Sequence, residues 1–393
     1  MPENLKKTSV MKKVKPAGNG EGATAPADAS SLSIGNRPTA FSPYGFKVVS
    51  TSKAAEPPAP QLNRQVSVSK PNEASPQPRF NYAQINEQAA KGNYKVQEPL
   101  AMGAESMLFS GKCANEMVVI KSVRSKLNRW VGNDKTRNQK IKLTKVKYAV
   151  KKKHILNEYN IGKMLYANDE IPVVHIYAIK RHSFFWFDLG YDLVMEYLPG
   201  SDLGNQAMVQ SLSLEERIRI CIQAFQALNY VHKHKLVHLD IKPSNFMYNQ
   251  GVVKLFDFGI SALTGSHLRS IVGTAGYLSP EQIARDVVTE ATDLFAMGIT
   301  MGTLFGGCPM NQQLKELHSS TAKASAKISM ERDNVSIITD LPDLEAMPGL
   351  VDILRKCCIL KRSARTQTST AVLYQLKAWA KSAECPFDIK VNI

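Results

Sequence analysis

Two short runs hold the residue types that could do chemistry: His238-Leu239-Asp240-Ile241-Lys242-Pro243-Ser244-Asn245 and, shortly after, Asp257-Phe258-Gly259. An Asp, a Lys two residues on, an Asn five on and then a second Asp are suited to holding ATP with magnesium and aligning a hydroxyl against it. Asp240 can accept or orient the proton of an attacking hydroxyl. Lys242 can steady the phosphate that moves. Asn245 and Asp257 offer the hard oxygens that magnesium prefers.

Several elements must position these groups. Ser213 with Glu216 predicts a capping box. After it Leu214, Ile218, Cys221, Ile222, Phe225, Leu228 and Val231 recur at helical spacing, so a buried-face helix leads into the first run. Asn249-Gln250-Gly251 reads as a turn between two short strands, the second being Val252-Val253-Lys254-Leu255. Met117-Val118-Val119-Ile120-Lys121 reads as a buried strand ending in a lysine. The apolar stretch from Leu294 to Phe305, preceded by Asp293, reads as a buried central helix.

Taken in order, these segments resemble the eukaryotic-type Ser/Thr protein kinase family, of which the chain looks like a divergent member. The resemblance runs from about residue 94 to 380. It implies an α+β, two-lobe fold with a small antiparallel β lobe and a larger, mainly helical lobe, and ATP with Mg2+ between them. It implies that Lys121 grips the ATP phosphates and that Glu158 pairs with it from a helix. Tyr191 to Leu198 resembles the strand and hinge that hold adenine, with Met195 as gatekeeper and Glu196 and Leu198 beyond it. Leu108 and Val119 would also face the nucleotide. Asp240 and Lys242 would be catalytic, and Asn245 and Asp257 the metal ligands. Gly273-Thr274-Ala275-Gly276-Tyr277-Leu278-Ser279-Pro280-Glu281 resembles the substrate-docking end of an activation segment, in which Glu281 pairs with Arg365. Asp293 would open the central helix. Lys242 and Thr274 follow the pattern of enzymes acting on Ser or Thr rather than Tyr, and the docking segment points to a protein substrate rather than a small molecule.

The chain departs from that pattern in four places. Ala101, Gly103 and Ser106 stand where the family keeps three glycines over the phosphates, so backbone N–H groups approach the phosphates less freely. Val119 replaces the usual Ala and adds bulk against adenine. Gly162, four residues after Glu158, replaces a bulky apolar residue, which predicts a loose helix, since Gly costs about 1 kcal/mol against Ala there. Leu239 replaces the common Arg that receives a phosphate on the activation loop, so activation is not expected to depend on phosphorylation of Thr264, Ser266 or Ser270. A scaffold that keeps the fold without the chemistry is the rival reading. The complete set Lys121, Glu158, Asp240, Asn245 and Asp257 argues against it.

The chain has 393 residues and a net charge of +16. Much of that charge lies in a basic insert, 122–153, which reads either as a solvated loop or as a docking surface for an acidic protein, a phosphoinositide membrane or nucleic acid. An activating partner docked there would press Glu158 toward Lys121. Residues 1–92 form a basic tail rich in Ser, Pro and Ala that cannot bury enough surface to fold. The kinase-like domain is expected over 93–385, with a small lobe at about 94–196 and a large lobe at about 199–385. Six scattered cysteines show no zinc spacing, which suits a reduced compartment. No apolar core follows the first lysines, as a secretory signal would require, and no transmembrane segment is expected. The cytoplasm is the default location. The basic clusters leave the nucleus open, and delivery into a host cell fits equally.

Overall fold

The computed structural model describes residues 81–103, 105–128, 146–166, 171–307, 336 and 341–383. The tail up to residue 80, the centre of the basic stretch (129–145), Cys308 and Cys385 lie outside them.

The small lobe is built on one antiparallel sheet. Its strands are β1 (Tyr94–Met102), β2 (Met107–Cys113), β3 (Glu116–Arg124), β4 (Ile176–Phe184) and β5 (Phe187–Glu196), in the order β1-β2-β3-β5-β4. Strand alternation decides what each face does. On β3, Val118 and Ile120 point to one face, packing with Phe109, Val194 and Tyr177. Val119 and Val123 point to the other and join Ile155, Ile176 and Leu193. Lys121 has the same parity as Val119 and Val123, so it reaches the second face, where the helix bearing Glu158 lies.

Each face receives one helix. The first face is covered by α1 (Tyr82–Ala90), which buries Ile85 and Ala89 and is capped by Asn81 accepting from the Gln84 N–H. Tyr82 stacks on His175 at 4.2 Å between centroids. These residues correct the expected boundary of the unfolded tail at 92. Composition alone gives them too little apolar surface, but two apolar residues one turn apart suffice when a formed sheet receives them.

The second face receives α2 (Tyr148–Met164). The basic stretch expected over 122–153 is correspondingly shorter, because 122–124 complete β3 and 148–153 are the first turns of α2. Gly162 also has a different meaning from the one its helix propensity suggests. It is buried, and a Cβ there would lie 2.6 Å from Ile176 Cβ on β4. The missing side chain lets α2 sit close against the sheet, with Ile176 filling the space.

After the hinge come β6 (Ser201–Asp202), α3 (Gln206–Ser211), α4 (Leu214–Lys233), β7 (Leu236–Val237), β8 (Phe246–Asn249), β9 (Val252–Leu255), β10 (Ala262–Leu263), α5 (Pro280–Ala284), α6 (Glu290–Gly302), α7 (Pro348–Cys357) and α8 (Ser369–Ser382). The predicted capping box is present at Ser213 and Glu216, and the apolar stripe of α4 is buried. The turn between β8 and β9 is a two-residue one, Gln250 and Gly251, both at positive φ (45° and 89°), as twisted hairpins favour. Helix α6 is buried along nearly its whole length, so the large-lobe core forms around it. Among the described residues the four cysteines are buried and free, and no helix is long and apolar enough to cross a membrane.

Because Gly162 serves close packing, Gly162→Ala should destabilise the protein by about 1–3 kcal/mol, the range for overpacking. Urea unfolding checks this. A loose helix would instead gain stability from the better helix former, and Ile176→Ala should recover part of the loss in the double variant.

Candidate active site

The sequence run 238–245 leaves β7 and wraps around one buried carboxylate. Asp293, in the first turn of α6, accepts the backbone N–H of His238 at 2.6 Å and of Leu239 at 2.8 Å. Its Oδ2 also meets His232 Nε2 at 3.0 Å. His232 in turn lies 2.9 Å from Ser369 Oγ and 3.2 Å from Glu290 Oε2. Burial alone would push the His232 ring down. The hydrogen bonds and charges of Asp293 and Glu290 outweigh it and leave the ring above the usual His range.

The loop so anchored presents Asp240 and Lys242 together. Lys242 Nζ donates to Asp240 Oδ2 at 2.6 Å and to Thr274 Oγ1 at 3.2 Å, and Thr274 donates to Asp240 Oδ1 at 2.5 Å. Thr274 thus ties the activation segment to the catalytic loop. The Asn245 amide nitrogen donates to the Asp240 carbonyl at 2.7 Å, which leaves its oxygen as the side for a cation. Burial holds the Lys242 amine below the usual lysine range, partly offset by Asp240.

Across the cleft, Lys121 Nζ lies 2.7 Å from Glu158 Oε2 and 2.8 Å from Asp257 Oδ1. Burial disfavours its charge, but the two carboxylates outweigh burial and hold it firmly protonated. The carboxylates then diverge. Burial raises Asp257, but Lys121 more than offsets this and brings it to about 2. Burial raises Glu158 to about 7, Lys121 notwithstanding, with the Asp257 charge adding to the rise, and Glu158 Oε1 has no partner among the described residues. Phe258 is buried edge-on to His238 at 5.0 Å, which keeps Asp257 turned toward Lys121.

A cleft of about 320 Å³ lies between these groups, lined by Lys121, Glu158, Asp240 and Asp257 and by the loop residue Ser106. The other residues expected around the nucleotide fall on the adjoining strands. Ala101 pairs with Leu108, Leu108 with Lys121, and Val119 with Met195. Glu196 engages Lys254 at 2.6 Å, and Leu198 packs beside Met195. Gly103 closes the loop turn by donating to the Ser106 carbonyl. Far from the cleft, Arg365 Nη1 meets Glu281 Oε1 at 2.8 Å, both buried, with Phe295 beneath the guanidinium at 4.8 Å.

Sequence reasoning missed three titratable residues of the cleft, Glu105, Lys151 and His154, besides apolar lining such as Val123, Ile155 and Ile271. Glu105 Oε2 lies 2.7 Å from His154 Nδ1, which links the phosphate-covering loop to α2. The only signal in the sequence was an acid between Gly103 and Ser106, and its partner is 49 positions away.

The donor set fits magnesium held with a polyphosphate. Among the described residues, no three His, Cys, Asp or Glu side chains converge to bind a metal alone. Asn245 and Asp257 would hold magnesium together with phosphate oxygens and water, as magnesium is ordinarily bound at phosphates.

The protein kinase domain model matches residues 105–376. The chain belongs to the protein kinase family. It is 31% identical over 193 residues to the probable serine/threonine-protein kinase PknB of Bifidobacterium longum, covering 47% of this chain and 26% of that protein. It is 35% identical over 138 residues to Aurora kinase C of Mus musculus, covering 34% and 50%, and 36% identical over 132 residues to the serine/threonine-protein kinase PrkC of Bacillus subtilis, covering 31% and 20%. The chain therefore spans half or less of the length of these curated relatives.

The raised His232 predicts a pH dependence. Its charged form contributes stability that is fully present below the ordinary His value of about 6.5 and is lost as pH rises through the raised one. The unfolding free energy in urea should fall over that limb, and fall less steeply in His232→Gln.

Proposed function

We propose that the chain transfers the γ-phosphate of ATP to Ser or Thr hydroxyls of proteins, and that it does so without phosphorylation of its activation segment. The relatives' names and the joined set Lys121, Glu158, Asp240, Lys242, Asn245 and Asp257 support the first part. In this reading Asp240 orients the hydroxyl and takes its proton as the new oxygen–phosphorus bond forms and the bond to ADP breaks. Lys242 stabilises the phosphoryl group in passage. Lys121, steadied by Glu158, holds the nearer phosphates. Asn245 and Asp257 would hold magnesium, which when bound neutralises phosphate oxygens.

One observation supports the second part. Leu239, in the position of the missing Arg, is buried with Val237 and Val288, and Ile260, Ala262, Leu268 and Val272 of the activation segment pack against that cluster. The segment also pairs Ala262 with Val237 and Leu263 with Leu236, and Leu268 donates to the Asp286 carbonyl. Apolar contacts and backbone hydrogen bonds do the ordering that a phosphate–Arg pair does elsewhere. The basic stretch is read as a docking surface for an acidic protein, anionic lipid or nucleic acid. A partner there would hold an α2 that is already paired rather than draw it inward.

Labelled ATP with magnesium and a generic basic protein tests the reading. Transfer should be lost in Asp240→Ala and in Asp257→Ala, and acid hydrolysis should release phosphoserine or phosphothreonine. Changing Thr264, Ser266 and Ser270 together to Ala should leave most activity. A loss beyond about a hundredfold, roughly 2.7 kcal/mol of barrier, overturns the phosphorylation-independent part. No transfer from the folded wild type supports the scaffold reading instead.

A further inference from the structure

The hairpin between β4 and β5 ends in four consecutive aromatic residues, Phe184-Phe185-Trp186-Phe187, and all four are exposed. Phe185 and Trp186 keep 75% and 79% of their surface in solvent. The rings touch in sequence, with centroids 4.7 Å, 5.8 Å and 5.5 Å apart, so they make one patch rather than scattered exposures. Phe184 pairs with Phe187, which leaves Phe185 and Trp186 as a two-residue turn. Such turns favour Asn, Asp and Gly. Phe185 adopts a left-handed φ of 51°, a conformation that costs a bulky residue about 1 kcal/mol. Neither turn side chain is buried in the fold.

The surroundings of the patch are basic. Arg181 lies behind it on β4, and the contacts of Tyr148 and Lys152 with Asp188 bring the start of α2, which carries Lys147 and Lys153, to the same end of the sheet; Arg181 and Lys152 themselves share Asp188, at 3.9 Å and 2.6 Å. The acid beside the tip, Asp188, is occupied: Lys152 donates to it at 2.6 Å, Tyr148 at 3.0 Å and Tyr191 at 3.2 Å. Both described ends of the basic stretch are fixed at this spot, since Ser125 donates to the Leu189 carbonyl and Tyr148 to Asp188.

We propose that this hairpin tip docks the protein on an anionic phospholipid bilayer, with the aromatic rings in the interface and the cations against the headgroups. This rests on the reading of the basic stretch as an acid-seeking surface and names the partner. It does not depend on the kinase reaction. Phe and Trp on a projecting turn, flanked by Lys and Arg, are the composition that lies in a membrane interface. Each cation near an anionic leaflet adds attraction that salt weakens. A projecting turn presents its rings outward, as insertion between headgroups requires. It stands at the opposite end of β5 from the hinge, about 30 Å away at the rise of a strand, so docking leaves the cleft open.

The test is co-sedimentation of the full chain with vesicles of phosphatidylcholine alone and of phosphatidylcholine with phosphatidylserine. Binding is expected to the anionic vesicles only, to weaken at raised salt, and to fall at least about tenfold in Phe185→Ser/Trp186→Ser. That variant should phosphorylate a soluble substrate as the wild type does. Anionic vesicles should shift the tryptophan emission to the blue, and Trp186→Phe should remove that shift while keeping the binding. Three results overturn the proposal: no binding to anionic vesicles, binding unchanged in the Phe185/Trp186 variant, or loss in that variant of a protein contact or self-association with no vesicle binding in the wild type. A failure here leaves the phosphotransfer assay untouched, and a chain without kinase activity can still bind the vesicles.

Discussion

One buried carboxylate holds the site in place. Asp293 sits in a helix whose other residues are mostly apolar, where an unpaired charge would cost several kcal/mol. It is tolerable because three donors converge on it: two backbone N–H groups of the catalytic loop and the His232 ring. The dependence runs both ways. The helix can carry the charge only if the loop folds onto it, and the loop can take its backbone path, including a left-handed Leu239 at φ 68°, only if the carboxylate is there. Asp240, Lys242 and Asn245 inherit their positions from that mutual dependence, and Thr274 and Gln282 then fasten the activation segment to the same loop.

The second half of the site depends on a cation shared by two acids. Lys121 reaches across from the small lobe, and its two partners come from α2 and from the strand end after β9. Lys121 outweighs burial at Asp257 and keeps it ionised, whereas at the more enclosed Glu158 burial and the Asp257 charge outweigh Lys121. Asp257 still keeps 38% of its side chain exposed, so water screens part of that pairing. Gly162 contributes at a distance. By leaving room for Ile176 it lets α2 lie near enough for Glu158 to reach the lysine.

Most of the arrangement of the candidate site was legible in the sequence because it is local or because its spacing is rigid. The run 238–245 fixes an Asp, a Lys and an Asn within one loop, and a strand of alternating parity determines which way Lys121 points. The capping box at Ser213 and the turn at Gln250 are written in neighbouring residues. What escaped reading depends on contacts between distant segments. Helix α1 has little to recommend it until a sheet receives Ile85 and Ala89. Gly162 looks like a weakness until Ile176 is placed beside it. Glu105 and His154 meet only after the small lobe has folded, and Leu239 reads as a missing arginine until the apolar residues of the activation segment close over it. The aromatic tip was invisible for another reason: four aromatic residues in a row look like core, and only the hairpin geometry turns them outward.

The apolar closure around Leu239 has a consequence for control. A segment ordered by a phosphate can be released by removing that phosphate, and so carries its own off switch. Leucine and valine contacts hold no removable group, and a phosphatase finds nothing there to take away. On the proposed reading, a chain built in this way would be competent from the moment it folds. What would remain to be governed is how much of it is made, how long it lasts and which surfaces it reaches.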